Sequence, residues 1–114
     1  MIRIKRAYEE PAPEDGQRIL VDRLWPRGRS KEALRLTEWL RDVSPSNALR
    51  KTFHGHPDHW DEFCEKYFAE LESNPEPVRH LKDLAGRSDI TLLYAAKDEV
   101  HNNAVALKKY LEQY

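Results

Sequence analysis

The feature that most constrains this fold is a near-continuous apolar run close to the carboxyl terminus, from Asp89 to Ala96. The rest of the 114-residue chain is strongly polar, and charged residues make up 34% of the sequence. A run without alternation of polar and apolar residues is typical of a strand that is buried on both faces, as in parallel sheets. Such a strand needs neighbouring strands and covering helices, which predicts an α/β fold.

Three further strands are predicted upstream of this run. Residues 2–8 alternate between apolar and polar types, the pattern of a strand with one covered face. Residues 18–22 form a short aliphatic run bounded by Gly16 and Pro26. Residues 36–40 give a weaker pattern that fits either a strand or a short helix. We therefore expect a small mixed or parallel sheet of about four strands with helices packed on it.

Four helices are predicted from capping residues and from apolar residues at helical spacing. The first follows a cap at Ser46, and the second opens at Pro57. The third opens at Pro75, in the first turn, and is closed by Gly86. The last is expected to begin near Asp98 and to end the chain. These helices would connect the strands and cover the sheet.

The length, charge and cysteine content narrow the class of protein. Residues 1–114 fit one α/β domain, without room for separate catalytic and cofactor domains. Cys64 is the single cysteine and no leader-like segment opens the chain, so a cytoplasmic location is expected. No apolar stretch approaches the ~20 residues that span a bilayer, so no membrane segment is expected. A net charge of −1 provides no global field for nucleic acid or an anionic membrane.

The first candidate site segment runs from Asp22 to Lys31, directly after a predicted strand. Ligands in open α/β sheets tend to bind beyond the carboxyl ends of strands. Arginine suits phosphate and carboxylate groups, an indole offers a stacking face, and a glycine permits close backbone approach. The structural alternative is that the indole fills the core and the cations are solvated. The predicted ligand contacts in this segment are Arg23, Trp25, Arg27, Gly28 and Lys31.

The second candidate segment covers residues 94–103, where a strand end leads into the predicted last helix. A helix amino terminus offers unpaired N–H groups to an anion, although capping alone would explain Asp98. His101 is either functional or a hydrogen-bonded structural histidine. We predict Asp22, Asp98 and His101 as acid–base groups, with Asp22 or Asp98 paired to Arg23 in the empty protein. The predicted ligand contacts in this segment are Tyr94, Lys97 and Asn102.

A third segment contains His54, His56 and His59. Their spacing across a glycine and a proline matches no familiar metal motif, so no metal site is predicted. His56 precedes Pro57 and is therefore held extended, which makes it a candidate ligand contact. Cys64 lies on the apolar stripe of its helix and is interpreted as a core residue.

Several familiar sequence motifs are missing, which narrows the possible classes of protein. The sequence contains no G-x-G-x-x-G, no Walker loop, no C-x-x-C and no G-x-S-x-G. Interpretations as a dinucleotide-binding protein, a nucleotide triphosphatase, a zinc ribbon or a serine hydrolase therefore lack support. No cofactor is predicted.

Several segments together resemble the YeaO-like family of small bacterial proteins, a domain of unknown function. They are RILVDRLWPRG at 18–28, EWLRDVSPS at 38–46, the step from His56 to Pro57, and TLLYAAKDEVHNNA at 91–104. The resemblance covers nearly the whole chain. It implies an α/β fold and a shared polar cluster, and it brings no established activity. The implied cluster consists of Asp22, Arg23, Arg27, His56, Asp98, His101 and Asn102.

The broader family also includes proteins that look as if they carry a cysteine where this chain has Tyr94. The resemblance therefore does not imply a thiol-based reaction for this chain.

The leading hypothesis is a polar pocket for a small anionic ligand that bears phosphate or carboxylate, with acid–base catalysis as a further option. The alternative is a nucleic-acid or protein interaction module that uses the arginine-rich first third of the chain, with Trp25 and Tyr8 as stacking surfaces. A subunit of a larger assembly is a third option. The sequence leaves the oligomeric state open.

Overall fold

The computed structural model describes residues 1–53 and 56–114 and shows a four-stranded sheet. The strands are β1 (Ile2–Arg6), β2 (Gln17–Leu20), β3 (Glu38–Trp39) and β4 (Ile90–Tyr94). They are paired in parallel in the order β1-β4-β2-β3. The predicted α/β class and four-stranded sheet are confirmed.

The apolar run forms β4, and β4 lies inside the sheet as its sequence predicts. Leu92 is in register with Ile4 of β1 on one side and with Ile19 of β2 on the other. Every residue of β4 is buried. Because β2 and β4 are neighbours, the loops that leave their carboxyl ends begin side by side.

The two faces of the sheet pack against different layers. Ile19 and Leu92 belong to the larger core, which the helices that follow β3 cover. Their sequence neighbours Leu20 and Leu93 face the opposite side, in a smaller cluster with Leu34. The alternation of side chains along a strand thus places successive aliphatic residues in two separate cores.

Within the described residues, five α-helices pack around the sheet: α1 (Lys31–Leu34), α2 (Asn47–Phe53), α3 (Trp60–Glu72), α4 (Pro75–Arg87) and α5 (Asn103–Gln113). Helix α5 packs on β1 and β4. The same residues also form short 3₁₀ turns at Pro13–Asp15, Arg41–Val43 and Pro57–His59.

The structure differs from the predicted elements in three places: one helix was not predicted, and one helix end and one helix start were wrong. Helix α1 was not predicted, because its one turn is too short to show helical periodicity; the Ser30 hydroxyl caps it by accepting the Ala33 N–H. Helix α4 continues through Gly86 to Arg87. Helix α5 begins at Asn103, five residues beyond Asp98, because Asn102 provides the cap.

In the part of the chain that the structure describes, no helix has the length and apolar character needed to cross a membrane.

Candidate functional site

A cleft of about 960 Å³ opens where the loops after β2 and β4 meet the carboxyl-terminal end of α2. This position, beyond the carboxyl ends of adjacent parallel strands, is where open α/β sheets bind ligands. The two candidate segments predicted from the sequence therefore line the same cleft. The predicted residues on its walls are Asp22, Arg23, Trp25, Arg27, His56, Lys97, Asp98, His101 and Asn102.

Three predicted contacts lie away from the walls of the cleft. Tyr94 is only 2% exposed and packs in the larger core. Lys31 begins α1, and Gly28 occupies an exposed turn with a φ of 83°. Gly28 is explained by that left-handed backbone alone, because a Cβ there would contact nothing within 4 Å.

Asp22 is held at the centre of the site by groups from three elements. One carboxylate oxygen accepts the Ala95 N–H at 2.9 Å, and the other accepts the Asn103 side-chain amide at 2.9 Å. The backbone carbonyl of Asp22 accepts the Trp39 indole N–H at 2.8 Å. These bonds tie the end of β2 to the end of β4 and to the start of α5.

The environment of Asp22 favours its protonated form. Burial raises the pKa of this carboxyl. The hydrogen bonds from Asn103 and Ala95 and the Arg50 guanidinium lower the pKa, but by less than burial raises it. Desolvation disfavours the charged form of an acid, and a neighbouring cation only partly offsets it. Asp22 is thus the carboxyl on the cleft that is best suited to hold or release a proton.

Asp98 is instead occupied in a turn. One of its oxygens accepts the N–H groups of Val100 and His101, each at 2.9 Å. The hydrogen bonds from His101 and Val100 hold the pKa of Asp98 below its usual value. Its other oxygen lies 3.5 Å from Nδ1 of His101, whose ring packs against Trp60.

The predicted ion pair with Arg23 is wrong. Within residues 1–53 and 56–114, Asp22 bonds to Ala95 and Asn103, and Asp98 bonds within its own turn. In the described structure, neither acid forms a salt bridge with the Arg23 guanidinium.

Asn102 has a structural role that explains its position. It is 4% exposed, its side-chain oxygen accepts the Val105 N–H, and its amide donates to the Asp98 carbonyl. An asparagine at the cap satisfies one of the orphan N–H groups of the first helical turn. The prediction of Asp98 as the cap of α5 is therefore wrong.

Several lining residues were not among the predicted contacts. Arg50 and Lys51 reach the cleft from α2, and Phe53 and Phe63 add aromatic rings from α2 and α3. Arg50 lies three residues before Phe53 and therefore next to the apolar face of α2. The spacing of residues in the sequence does not show that this side of α2 lines the cleft. Tyr8 also lines the cleft, although the sequence suggests it only as a stacking surface for nucleic acid.

The histidines do not assemble with acids into a metal site in the described structure. No group of three metal-ligating side chains is found among residues 1–53 and 56–114. The rings of His56 and His59 stack with centroids 5.1 Å apart, and His54 lies outside the described residues. Cys64 is buried in the larger core, as predicted from its helical stripe.

The cleft loops are held by bonds to backbone carbonyls. Arg6 donates to the carbonyls of Ala95 and Ala96, which fixes the chain after β4. Trp25 donates its indole N–H to the Arg29 carbonyl, and the Tyr8 hydroxyl donates to the Arg27 carbonyl. These hydrogen bonds therefore fix the cleft walls on the side of β1 and β2.

The family model for the inactive DUF488-N3 subclade matches residues 1–114, the whole chain. The chain belongs to this subclade. Its relatives among curated proteins include the uncharacterized protein YeaO of Escherichia coli K12, which is 44% identical over 110 residues, 96% of each chain. The resemblance to the YeaO-like family is thereby confirmed.

Mycobacterial relatives are also similar along nearly their whole length. Rv3073c of Mycobacterium tuberculosis H37Rv and Mb3100c of Mycobacterium bovis are each 39% identical over 110 residues. The alignments cover 96% of this chain and 92% of each relative. No solved structure matches this chain.

Proposed function

We propose that this protein binds a small anionic ligand, bearing phosphate or carboxylate, in the cleft beyond β2 and β4. Five cationic side chains from three segments line the cleft, against two carboxylates. Such an excess of cations in a concave site raises the local concentration of anions although the whole chain is nearly neutral. The cations are Arg23, Arg27, Arg50, Lys51 and Lys97.

The observation that carries this proposal is a pair of unsatisfied guanidinium atoms. The Nε atoms of Arg23 and Arg50 are buried and have no hydrogen-bond partner in the described part of the chain. Both residues line the cleft. A buried polar donor without a partner costs free energy, and a bound ion or ligand can supply the missing acceptor. An anion bound beside either arginine would supply the acceptor that its Nε donor lacks.

Binding without turnover fits the site better than catalysis. The family model is described as an inactive subclade. Cys64, the single thiol, is buried on α3 and does not line the cleft. Asp22 is the acid–base group with a suitable environment, so proton transfer is the chemistry that the cleft would support if turnover occurs.

The placement of the basic residues weighs against the nucleic-acid alternative. Arg18 is 4% exposed and pairs with Asp15, and Lys5 pairs with the same carboxylate. Arg6 and Arg29 donate to backbone carbonyls. Much of the arginine-rich first third thus stabilises the fold and does not form one exposed face for a phosphate backbone.

Titration calorimetry and thermal unfolding with inorganic phosphate and pyrophosphate test the proposal, with ionic strength held constant by sodium chloride. We expect saturable binding to the wild type and a loss of about tenfold or more in affinity for Arg50→Met, since a charge-assisted bond is removed. The matched control is Arg87→Met, because Arg87 is exposed on α4 and pairs with Asp83. Equal affinities for both variants, or no saturable binding to the wild type, would contradict the proposal.

A further inference from the structure

We infer that the ligand of this cleft is an anion that carries a planar aromatic ring; this inference rests on the proposed function. A cleft of about 960 Å³ lies at the upper end of the range for pockets that hold drug-sized molecules, about 300–1,000 Å³. Inorganic phosphate would leave most of that space to water.

Aromatic side chains from several segments line the cleft. Tyr8 and Trp25 line the cleft from the segments after β1 and β2, and Phe53 and Phe63 line it from α2 and α3. The Phe53 and Phe63 ring centroids are 4.6 Å apart, so they form a continuous aromatic surface. Aromatic faces in a cationic groove are a recurrent way in which proteins hold planar rings attached to anionic groups.

The fold buries most of these rings only in part. Tyr8 is 37% exposed, and Trp25 and Phe53 are half-buried, whereas Phe63 is 4% exposed and belongs to the core. Aromatic side chains that remain open to solvent around a polar centre retain apolar area to bury against a ligand.

Two of these rings are held in position by hydrogen bonds to backbone carbonyls. The Tyr8 hydroxyl is bonded to the Arg27 carbonyl at 3.0 Å, and the Trp25 indole is bonded to the Arg29 carbonyl at 2.6 Å. The Trp25 ring also packs edge-on against Trp39, with centroids 5.4 Å apart. Rings held in this way lose little freedom on binding, which favours affinity.

The experiment compares three probes by calorimetry at a pH where all are dianions: inorganic phosphate, cyclohexyl phosphate and phenyl phosphate. We expect phenyl phosphate to bind about tenfold or more tightly than inorganic phosphate, since stacking on aromatic side chains contributes on this scale. Cyclohexyl phosphate, which has a similar apolar bulk without a flat face, should fall between them. Equal affinities of phenyl and cyclohexyl phosphate would overturn the inference.

Variants separate this inference from the proposed function. Phe53→Leu keeps an apolar side chain and should weaken phenyl phosphate by about tenfold while leaving inorganic phosphate within about twofold. The matched control is Phe68→Leu, since Phe68 packs against Tyr110, away from the cleft. If Phe53→Leu does not fold, Tyr8→Leu replaces it, because Tyr8 is partly open to solvent.

The outcomes are distinct. Binding of inorganic phosphate that depends on Arg50, with no preference for phenyl phosphate, would retain the proposed function and refute the aromatic ligand. Saturable binding of none of the probes would refute both. A preference for phenyl phosphate that survives Phe53→Leu and Tyr8→Leu alike would also refute the aromatic walls as its cause.

Discussion

The two ends of β2 each carry a carboxylate, and the two carboxylates differ in what surrounds them. Asp15, just before the strand, is 3% exposed and pairs with Arg18 at 2.5 Å and with Lys5 at 3.2 Å. Asp22, just after the strand, accepts neutral donors from Ala95 and Asn103 and has no ion pair in the described structure.

Their pKa values move in opposite directions. Burial acts to raise the pKa of Asp15, but hydrogen bonds from Ala12, Lys5 and Arg18 outweigh it and the pKa is lowered. Burial raises the pKa of Asp22. A buried carboxylate in a salt bridge therefore stabilises the fold, whereas one that forms no salt bridge is left available for chemistry or for a ligand.

The largest expected effect comes from breaking the pair at the amino end. Asp15→Asn should reduce the free energy of unfolding by about 3–5 kcal/mol, because it leaves the Arg18 charge buried without its partner. Urea unfolding measures this loss. Asp83→Asn, which breaks the exposed pair with Arg87, should cost less than about 1 kcal/mol. Equal losses for the two variants would refute the distinction between the buried and exposed pairs.

Glycines that precede and follow β2 provide a second comparison of stability. Gly16 has a φ of 64°, and a Cβ there would lie 2.2 Å from the Asp89 carbonyl oxygen. Gly16→Ala should therefore cost about 2–4 kcal/mol, from strain and backbone displacement. Gly28→Ala has the same sign of φ but open space, so about 1 kcal/mol is expected. Thermal and urea unfolding of the two variants check the order.

The two carboxylates should also change the stability of the protein with pH in opposite directions. Because the pKa of Asp22 is raised on folding, the native state binds more protons than the unfolded chain just above the ordinary carboxyl pKa. The contribution of Asp22 to the free energy of unfolding therefore falls as pH rises through its raised pKa. Asp15, with its lowered pKa, contributes stability that is lost as pH falls through that pKa.

Asp22→Asn should abolish the first of these slopes. Urea unfolding of wild type and variant over a series of pH values gives the difference directly. At a pH above the raised pKa of Asp22, the same variant should bind inorganic phosphate about threefold more tightly, because a negative charge has been removed from the cleft. A wild-type slope that persists in Asp22→Asn would show that another group titrates.

The smallest expected effect on stability belongs to an exposed cation of the cleft. Arg27 is exposed on the loop after β2, and Arg27→Ala should change the free energy of unfolding by less than about 0.5 kcal/mol. It should nevertheless weaken phosphate binding by about threefold, since one positive charge near the anion is lost. If this variant binds phosphate with the affinity of the wild type, Arg27 does not contribute to the site.

The sequence predicted the elements whose signal is local. The run at β4 indicates a strand buried on both faces, and the apolar stripe of α3 indicates a long helix; both are confirmed. Helix α1, which is one turn long, shows no periodic signal. The start of α5 was misplaced because Asp98 and Asn102 are both good caps, and only their contacts distinguish them.

The sequence alone predicted that the loop after β2 and the segment after β4 belong to one candidate site, because each follows a predicted strand and carries polar and charged residues. That β2 and β4 are neighbours, which brings the two segments side by side, is a finding of the structure. What only the tertiary structure decided is which other elements complete the cleft and how each charge is compensated. Arg50 enters from α2, and within the described residues Asp22 forms no salt bridge like the one that Asp15 forms, because burial and electrostatic pairing depend on distances between residues far apart in the chain.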